Sequence, residues 1–439
     1  MQELKKIMQE FGVVGAGGAG FPSYAKLAEG ADLLLINGSE CEPLLYTDYV
    51  ILKNELTMVL SGISEVLSHT GIKKAFIAVK AHTAIELGFE DGEELSGRIF
   101  VRVLPDVYPI GDEVGLIYEA TGRLVKPGKL PITEGIIVYN VETMYNLGRV
   151  VRFSQPVTKK WLTVGGDVKN PTVVRVPVGA RVADIFKALD IKIDEGYTVL
   201  DGGPSMGKVV NPKTYSVTKT TKGLLVLPNN IQAVLSKKMN PQMAIARAET
   251  ACCQCTRCTD MCPRNMLGYP LEPHKMVRTA MGVAEVMPNM VLSATLCCGC
   301  GICESLACSQ GISPRAVIDN YKKLLAQNKL RFDLPGEYSV RAERDYRMVP
   351  YKKWMSMLGV TKFDKIADFG GEISSLERVE IPLFGHIGAP SVSVVKDGDF
   401  VKEGDLVAEA AKGLSLPQHA SLSGAVTLGN NKIIIDKVR

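Results

Sequence analysis

Cys252-Cys253-Gln254-Cys255-Thr256-Arg257-Cys258-Thr259-Asp260-Met261-Cys262-Pro263 is the stretch that decides how this chain is read. Thiols at 252, 255 and 258 recur every third residue, and a fourth follows at 262 with a proline behind it. A second set stands at Cys297, Cys300, Cys303 and Cys308, with four residues before its last member and no proline after it. Three thiolates three residues apart can curl around one face of an iron–sulfur cubane, leaving the distal fourth beyond a turn. Such a chain is expected to carry electrons, and what feeds it must lie elsewhere in the sequence.

The alternative for these cysteines is zinc. Zinc sites come as two separated pairs, often with histidine. Here each set has three evenly spaced thiols and a distal one, and no histidine lies inside either set. The pattern resembles two-cluster bacterial ferredoxins. By that resemblance the ligand sets cross: Cys252, Cys255 and Cys258 join Cys308, and Cys262 joins Cys297, Cys300 and Cys303. Cys253 and Cys298 adjoin ligands without partners at the right spacing and are expected to be small buried residues.

With 439 residues, 46% of them apolar, the chain is long enough for three or four packed domains. Its 51 basic and 47 acidic residues leave a net charge of +4 with no basic block, so neither nucleic acid nor an anionic membrane surface is indicated. Apolar stretches such as Leu33–Ile36 and Leu224–Leu227 are too short to span a bilayer. The start, Met1-Gln-Glu-Leu-Lys-Lys, reads as a charged amphipathic helix rather than a secretion signal. Eleven cysteines without an export signal point to a reducing cytoplasm.

The source of electrons is sought in the first 150 residues. Gly12-Val-Val-Gly15-Ala-Gly17-Gly18-Ala-Gly20-Phe21-Pro22 is a glycine-rich loop ahead of a helix expected over Ser23–Glu29. Bare backbone amides at a helix start bind phosphate, and Lys26 adds a positive charge there. Asn37-Gly-Ser39-Glu40-Cys41-Glu42-Pro43 follows the apolar strand Asp32–Ile36, at a strand end where open α/β sheets place their ligands. Gly111-Asp112-Glu113 and Asn140-Val-Glu142-Thr143 each follow a β-rich run.

Taken together, these four segments resemble, in order and spacing, the flavin-binding subunit of respiratory complex I and the RnfC component of the Rnf complex. The resemblance implies a modified doubly wound α/β domain. Gly15, Gly17, Gly18, Lys26, Asn37, Ser39, Glu40, Gly111 and Asn140 would hold FMN, while Phe21, Glu42 and Glu113 would face NADH. Glu42 and Glu113 are the candidate catalytic residues. The chain departs from complex I at Ala16, where an arginine is usual, and at Leu27, Ala28 and Glu29, where aromatic residues sandwich the adenine.

The rest divides by composition. Residues 1–152 would be the FMN/NADH domain. Residues 153–230 carry hairpin signals at Leu162–Pro171 and Val176–Gly179, a helix at Val182–Leu189 and a turn at Asp201–Pro204. They resemble a soluble-ligand-binding β-grasp module. Residues 240–327 are the two-cluster ferredoxin-like domain, with helices expected at Pro273–Val286 and Ser313–Gln327. Residues 328–378 read as a linker, in which Arg341, Arg344, Asp345 and Arg347 form a solvated face. Residues 379–439 resemble the barrel-sandwich of biotinyl and lipoyl domains. Lys412 falls near the hairpin those domains modify, but off its spacing and without the usual neighbours, so no covalent group is expected on it.

This domain order is that of the cobalamin reductases of propanediol-utilisation bacterial microcompartments. Leu104–Pro109, Thr218–Pro228 and Gly385–Ala389 agree with that family as local strings. The resemblance implies an NADH-dependent oxidoreductase with FMN and two [4Fe-4S] clusters, reducing a corrinoid (cobalamin) to reactivate the cofactor of a diol dehydratase. It also implies an adenosyltransferase and shell proteins as partners, within a microcompartment in the cytoplasm. The alternative is an Rnf-like protein passing electrons from NADH to a ferredoxin or another microcompartment enzyme.

Overall fold

Leu33–Asn37, a continuous apolar run, becomes the central strand of a five-stranded sheet, the place for a strand covered on both faces. Lys74–Lys80 and Ile136–Asn140 flank it in parallel, with Leu33 opposite Lys74 on one side and Ile136 on the other. Ile99–Leu104 extends the sheet in parallel beyond Lys74–Lys80, and Glu94–Ser96 closes that edge antiparallel. The chain winds outward on one side of the central strand and then returns to its other side. Asn37 and Asn140 therefore end side by side where the strand order reverses, the crevice that open sheets offer to ligands. The computed structural model describes residues 1–438.

Helices Thr47–His69 and Val141–Phe153 cross closely over this sheet, and two glycines permit it. A Cβ at Gly62 would stand 2.0 Å from the Met144 carbonyl oxygen, and one at Gly148 would stand 2.1 Å from that of Met58. The glycine loop leads into a single 3₁₀ turn, Ser23–Lys26, rather than the α-helix expected over Ser23–Glu29.

A six-stranded mixed sheet follows, in the order Lys208–Val210, Tyr197–Asp201, Gly223–Pro228, Lys159–Gly166, Thr172–Pro177 and Phe369–Glu372. Its core packs against the helix Val182–Ala188 through Val174, Val176, Ile185, Phe186 and Leu224. The last strand comes from the stretch read as a linker, and that reading needs correction. Within 328–378, Val349–Pro350 pairs with Val107–Tyr108, and the helix Tyr351–Leu358 buries Trp354 completely. Arg344 is no part of a solvated face: it is 8% exposed and paired with Glu119.

The cysteine region is a cluster of short helices around Pro241–Ala251, Pro273–Ala280 and Pro314–Gln327. Ser313 caps the last, its hydroxyl accepting from the Ala316 N–H at 3.2 Å. The tail forms two small sheets facing a core of Val379, Ile381, Val407, Val426, Ile433 and Ile435. Lys412 is exposed in the connection between Leu406–Glu409 and Gln418–His419. Among the described residues, no helix is long and apolar enough to cross a membrane.

Candidate functional site

Most of the segments singled out in the first 150 residues meet at the crevice. Asn140 Nδ2 donates to the Asn37 carbonyl at 3.1 Å, and Asn37 Nδ2 donates to that of Gly111 at 3.0 Å. Asn140 also caps its helix, accepting from the Glu142 N–H at 3.0 Å. The glycine loop lies against this seam. A Cβ on Gly17 would come 3.3 Å from that of Asn140, and the Ala16 N–H donates to Thr143 Oγ1 at 3.0 Å. Gly18 has φ of +131°, a region that excludes side chains, and nothing lies within 4 Å of where its Cβ would be. This bare, open backbone beside two asparagine amides fits the phosphate and ring edges of a flavin. Lys26 rises from below, its Nζ 2.9 Å from Glu113 Oε1 and 3.0 Å from the Val138 carbonyl. Phe21 closes the loop, its carbonyl accepting from the Gly15 N–H at 2.8 Å.

Two candidates do not turn toward the crevice. Ser39 is fully buried, and its hydroxyl donates to the Ala78 carbonyl at 3.3 Å. Glu42, expected to face NADH, is 7% exposed and held elsewhere: Tyr108 Oη lies 3.1 Å from its Oε1, and the Ser205 N–H lies 2.8 Å from its Oε2. The loop from the six-stranded sheet covers it so closely that a Cβ on Gly203 would stand 2.0 Å from Oε2. Glu40 caps the first turn of Thr47–His69, accepting from the N–H groups of Asp48 (2.9 Å) and Tyr49 (3.3 Å). Burial, reinforced by the Asp48 carboxylate, pushes Glu40 up to about 7.

Behind the seam lies a charge network that sequence reasoning missed. Asn140 Nδ2 donates to Asp48 Oδ2 at 2.9 Å, Asp48 pairs with Lys222, and Glu142 pairs with the buried Lys160. Lys222 stands in the Thr218–Pro228 string, but nothing local ties it to Asp48.

Thiols of the two sets lie close to one another, Cys308 beside Cys258 and both Cys262 and Cys258 beside Cys303. Burial, followed by the thiols of Cys308, Cys255 and Cys252, pushes the Cys258 thiol up to about 12. Burial likewise pushes Cys297 up to about 12, with Cys298 and Cys262 beside it. Cys303 is raised well above its ordinary value by burial, then by Glu304, with Cys297 and Cys262 adding to it. Thiols crowded so that each resists ionising its neighbour fit a group that brings positive charge among them. Among the described residues, no three His, Cys, Asp or Glu side chains converge on a single-ion site. Cys253 is exposed and Cys298 half-buried, so neither is the small buried residue expected.

The set holding Cys300 touches the segment that leads into Gly111–Glu113 directly. Tyr108 Oη donates to the Cys300 carbonyl at 2.8 Å while its ring stacks on Trp354 at 4.6 Å and 10°. One residue before Glu113, Asp112 is paired with Arg264 at 2.6 Å, two residues beyond Cys262. The other set opens outward: Cys255 is exposed, while Cys252, Cys258 and Cys308 are half-buried around a cavity shared with His274.

Comparison with known proteins places three families along the chain. The Nuo51 FMN-binding domain matches residues 8–149, a 4Fe-4S dicluster domain matches 251–313, and the RnfC barrel sandwich hybrid domain matches 371–433. Cobalamin reductase PduS of Salmonella typhimurium is 36% identical over 97% of this chain and 94% of its own length. The chain belongs to the PduS family. PduS of Citrobacter freundii is 34% identical over 97% of this chain and 94% of its own. A component of the Na(+)-translocating ferredoxin:NAD(+) oxidoreductase complex of Acetobacterium woodii is 31% identical over 59% of this chain and 57% of that component. A PduS-family chain with these domains is a flavo-iron–sulfur oxidoreductase.

Proposed function

We propose that this chain is an NADH-dependent reductase that delivers single electrons to a corrinoid, taking cob(III)alamin to cob(II)alamin and onward to cob(I)alamin. The observation that carries the reading is Tyr108, which joins the segment leading into Gly111–Glu113 to the Cys300 carbonyl through one hydroxyl. When bound, FMN accepts a hydride and releases electrons singly, and iron–sulfur clusters carry them one at a time. The chain's residues supply the setting. The amides of Gly15, Gly17 and Gly18, with Lys26, would hold the flavin phosphate. Asn37, Gly111 and Asn140 would orient the ring. Cys252, Cys255, Cys258 and Cys308 would hold one cluster, and Cys262, Cys297, Cys300 and Cys303 the other. The packing of Tyr108, Trp354 and Cys300 keeps water out of the space between that segment and the thiols.

In this reading residues 1–152 bind flavin and nucleotide, and 153–230 form a soluble-ligand-binding β-grasp domain joined by the late strand Phe369–Glu372. Residues 240–327 hold the clusters, and 379–439 form the barrel-sandwich. The PduS relatives are cobalamin reductases, which points to a corrinoid acceptor. A diol dehydratase whose cofactor needs reactivation, an adenosyltransferase and shell proteins of a cytoplasmic microcompartment are the matching partners. A second reading, delivery to a ferredoxin as in Rnf complexes, draws on the solvent-open outer cysteine set.

An anaerobic titration tests the reading. NADH should bleach flavin and iron–sulfur absorbance together, and added hydroxocobalamin should restore both as it is reduced. Reoxidation by ferredoxin with none by the corrinoid would select the second reading. Preparations lacking both flavin and acid-labile sulfide would defeat both.

A further inference from the structure

Giving Gly15, Gly17 and Gly18 to the flavin phosphate leaves the first and last glycines of that loop, Gly12 and Gly20, without a role. Both have left-handed backbones, with φ of +67° and +69°, and both are crowded by distant parts of the chain. A Cβ on Gly12 would stand 2.6 Å from Lys219 Nζ and 3.2 Å from the Pro417 carbonyl oxygen. One on Gly20 would stand 2.8 Å from Thr220 Cγ2 and 3.4 Å from His386 Cα. Hydrogen bonds follow the same contacts. Lys219 Nζ donates to the carbonyls of Gly12 at 3.2 Å and Pro417 at 3.3 Å, and the Ile387 N–H donates to that of Gly20 at 2.8 Å. The strings Thr218–Pro228 and Gly385–Ala389 thus hold the two ends of the glycine loop, while its middle stays open at Gly18.

Lys219 is buried, and its ammonium faces two carbonyls; among the described residues no carboxylate pairs with it. Burying an ammonium this way is costly, so holding the two carbonyls together is the gain to be explained. The barrel-sandwich side is shaped to receive it. Ser415, Leu416 and Pro417 lie in the connection between Leu406–Glu409 and Gln418–His419, the same connection that carries Lys412. The Leu416 N–H donates to His386 Nε2 at 3.1 Å and the Ala389 N–H to the Leu414 carbonyl at 2.8 Å, so this connection and Gly385–Ala389 brace each other. Tyr24 Oη, on the 3₁₀ turn that carries Lys26, donates to the Ser415 carbonyl at 3.4 Å. The barrel-sandwich is in turn seated on the six-stranded unit, where the Glu380 N–H donates to the Gly179 carbonyl at 2.7 Å.

We propose that Lys219 and the barrel-sandwich form a latch that presets the glycine loop for FMN, Lys219 and Ile387 being its positioning residues. The inference rests on the reading of Gly15, Gly17 and Gly18 as the phosphate cradle. Glycine loses more backbone freedom on ordering than any other residue, and this loop has five of them. Fixing both ends before flavin arrives removes part of that cost from binding. Coupling of this kind is reciprocal: bound flavin steadies the latch by as much as the latch favours flavin.

Hydrogen exchange on the anaerobic holoprotein, before and after its flavin is removed with iron retained, reads that reciprocity. Loss of FMN should speed exchange at the Gly15–Gly18 amides and also, roughly ten-fold, at Ile387, Ala389 and Leu416, in a domain given no flavin-holding residue. Lys219→Met should weaken FMN roughly ten-fold, the effect of about one charge-assisted hydrogen bond, with iron per chain native. Ile387→Pro, at a position 44% exposed, deletes the N–H given to Gly20 and should do the same. It carries the test if Lys219→Met fails to fold. Faster exchange in the glycine loop with none in the barrel-sandwich would overturn the latch and leave the cradle standing, as would native FMN affinity in the folded variants. Exchange at Gly15–Gly18 that ignores FMN removes the cradle reading, and the latch with it.

Discussion

Cys262, Cys300 and Cys303 are buried, Cys300 in packing that continues to Tyr108, Ile110 and Trp354, whereas Cys255 is exposed and Cys252, Cys258 and Cys308 are only half-buried. Charged groups crowd the inner set. Lys322 Nζ donates to the Cys297 carbonyl at 3.0 Å, Arg315 Nη1 to that of Gly299 at 3.2 Å, and Arg264 stands two residues past Cys262. The outer set faces His274, held by Thr259 Oγ1 at 2.7 Å, and then water. Nearly the same ligand spacing thus occupies two electrostatic settings. In the low-dielectric interior, fixed cations bias a group that gains negative charge on reduction, and near water that bias is screened. Spacing matches both sets to a 4Fe-4S dicluster domain, and burial distinguishes the set beside Tyr108 from the set open to water.

Removing an inner ligand should have the largest effect. Cys303→Ala is expected to lose about half the iron and acid-labile sulfide, and to lower Tm clearly, because an inner site shared with the flavin domain couples cluster binding to folding. Cys255→Ala should also lose about half the iron, yet keep Tm and flavin content near native, because an exposed thiol contributes little packing. Iron and sulfide analysis with calorimetry checks both. Equal Tm losses would break the inner–outer distinction.

The cysteine spacing, the strand Leu33–Asn37 and the helix Pro314–Gln327 were legible because each is written in a local pattern, whereas a shared site for Asn37, Gly111 and Asn140 was implied only by the family resemblance. The placement of Glu42 was not legible. Its partner Ser205 lies 163 residues away, so no window of sequence shows that the carboxylate is taken. Lys80 closes an apolar strand and reads as an ordinary surface residue until Tyr351 covers it. The stretch 328–378 was misread for a similar reason: its charge density suggests solvent, but Arg344 finds Glu119 and Trp354 Nε1 finds Ser205 Oγ at 2.9 Å, both across long sequence separations.

A smaller perturbation probes the contact between Tyr108 and the inner set. Tyr108→Phe keeps the ring over Trp354 but removes the donor to both Glu42 and the Cys300 carbonyl. Leaving a buried carboxylate one donor short costs about 1–3 kcal/mol, so Tm should fall by a few degrees. The EPR spectrum of the reduced inner cluster should change while that of the outer cluster stays fixed. Altered signals from both would mean that Tyr108 acts through the fold rather than through Cys300.

The subtlest change is Lys322→Met. Lys322 is half-buried and reaches the inner set through a single bond to the Cys297 carbonyl. Losing one charge-assisted hydrogen bond of about 1.5–3 kcal/mol should lower the inner cluster's midpoint potential by something on the order of tens of millivolts, since the reduced form loses only somewhat more than the oxidised one. Neither Tm nor iron content should move. Redox titration followed by EPR resolves the two clusters in one sample, with the outer cluster as internal control. A shift confined to the outer cluster would reverse the comparison: the buried cations would then be structural, and solvent would be the stronger influence on potential.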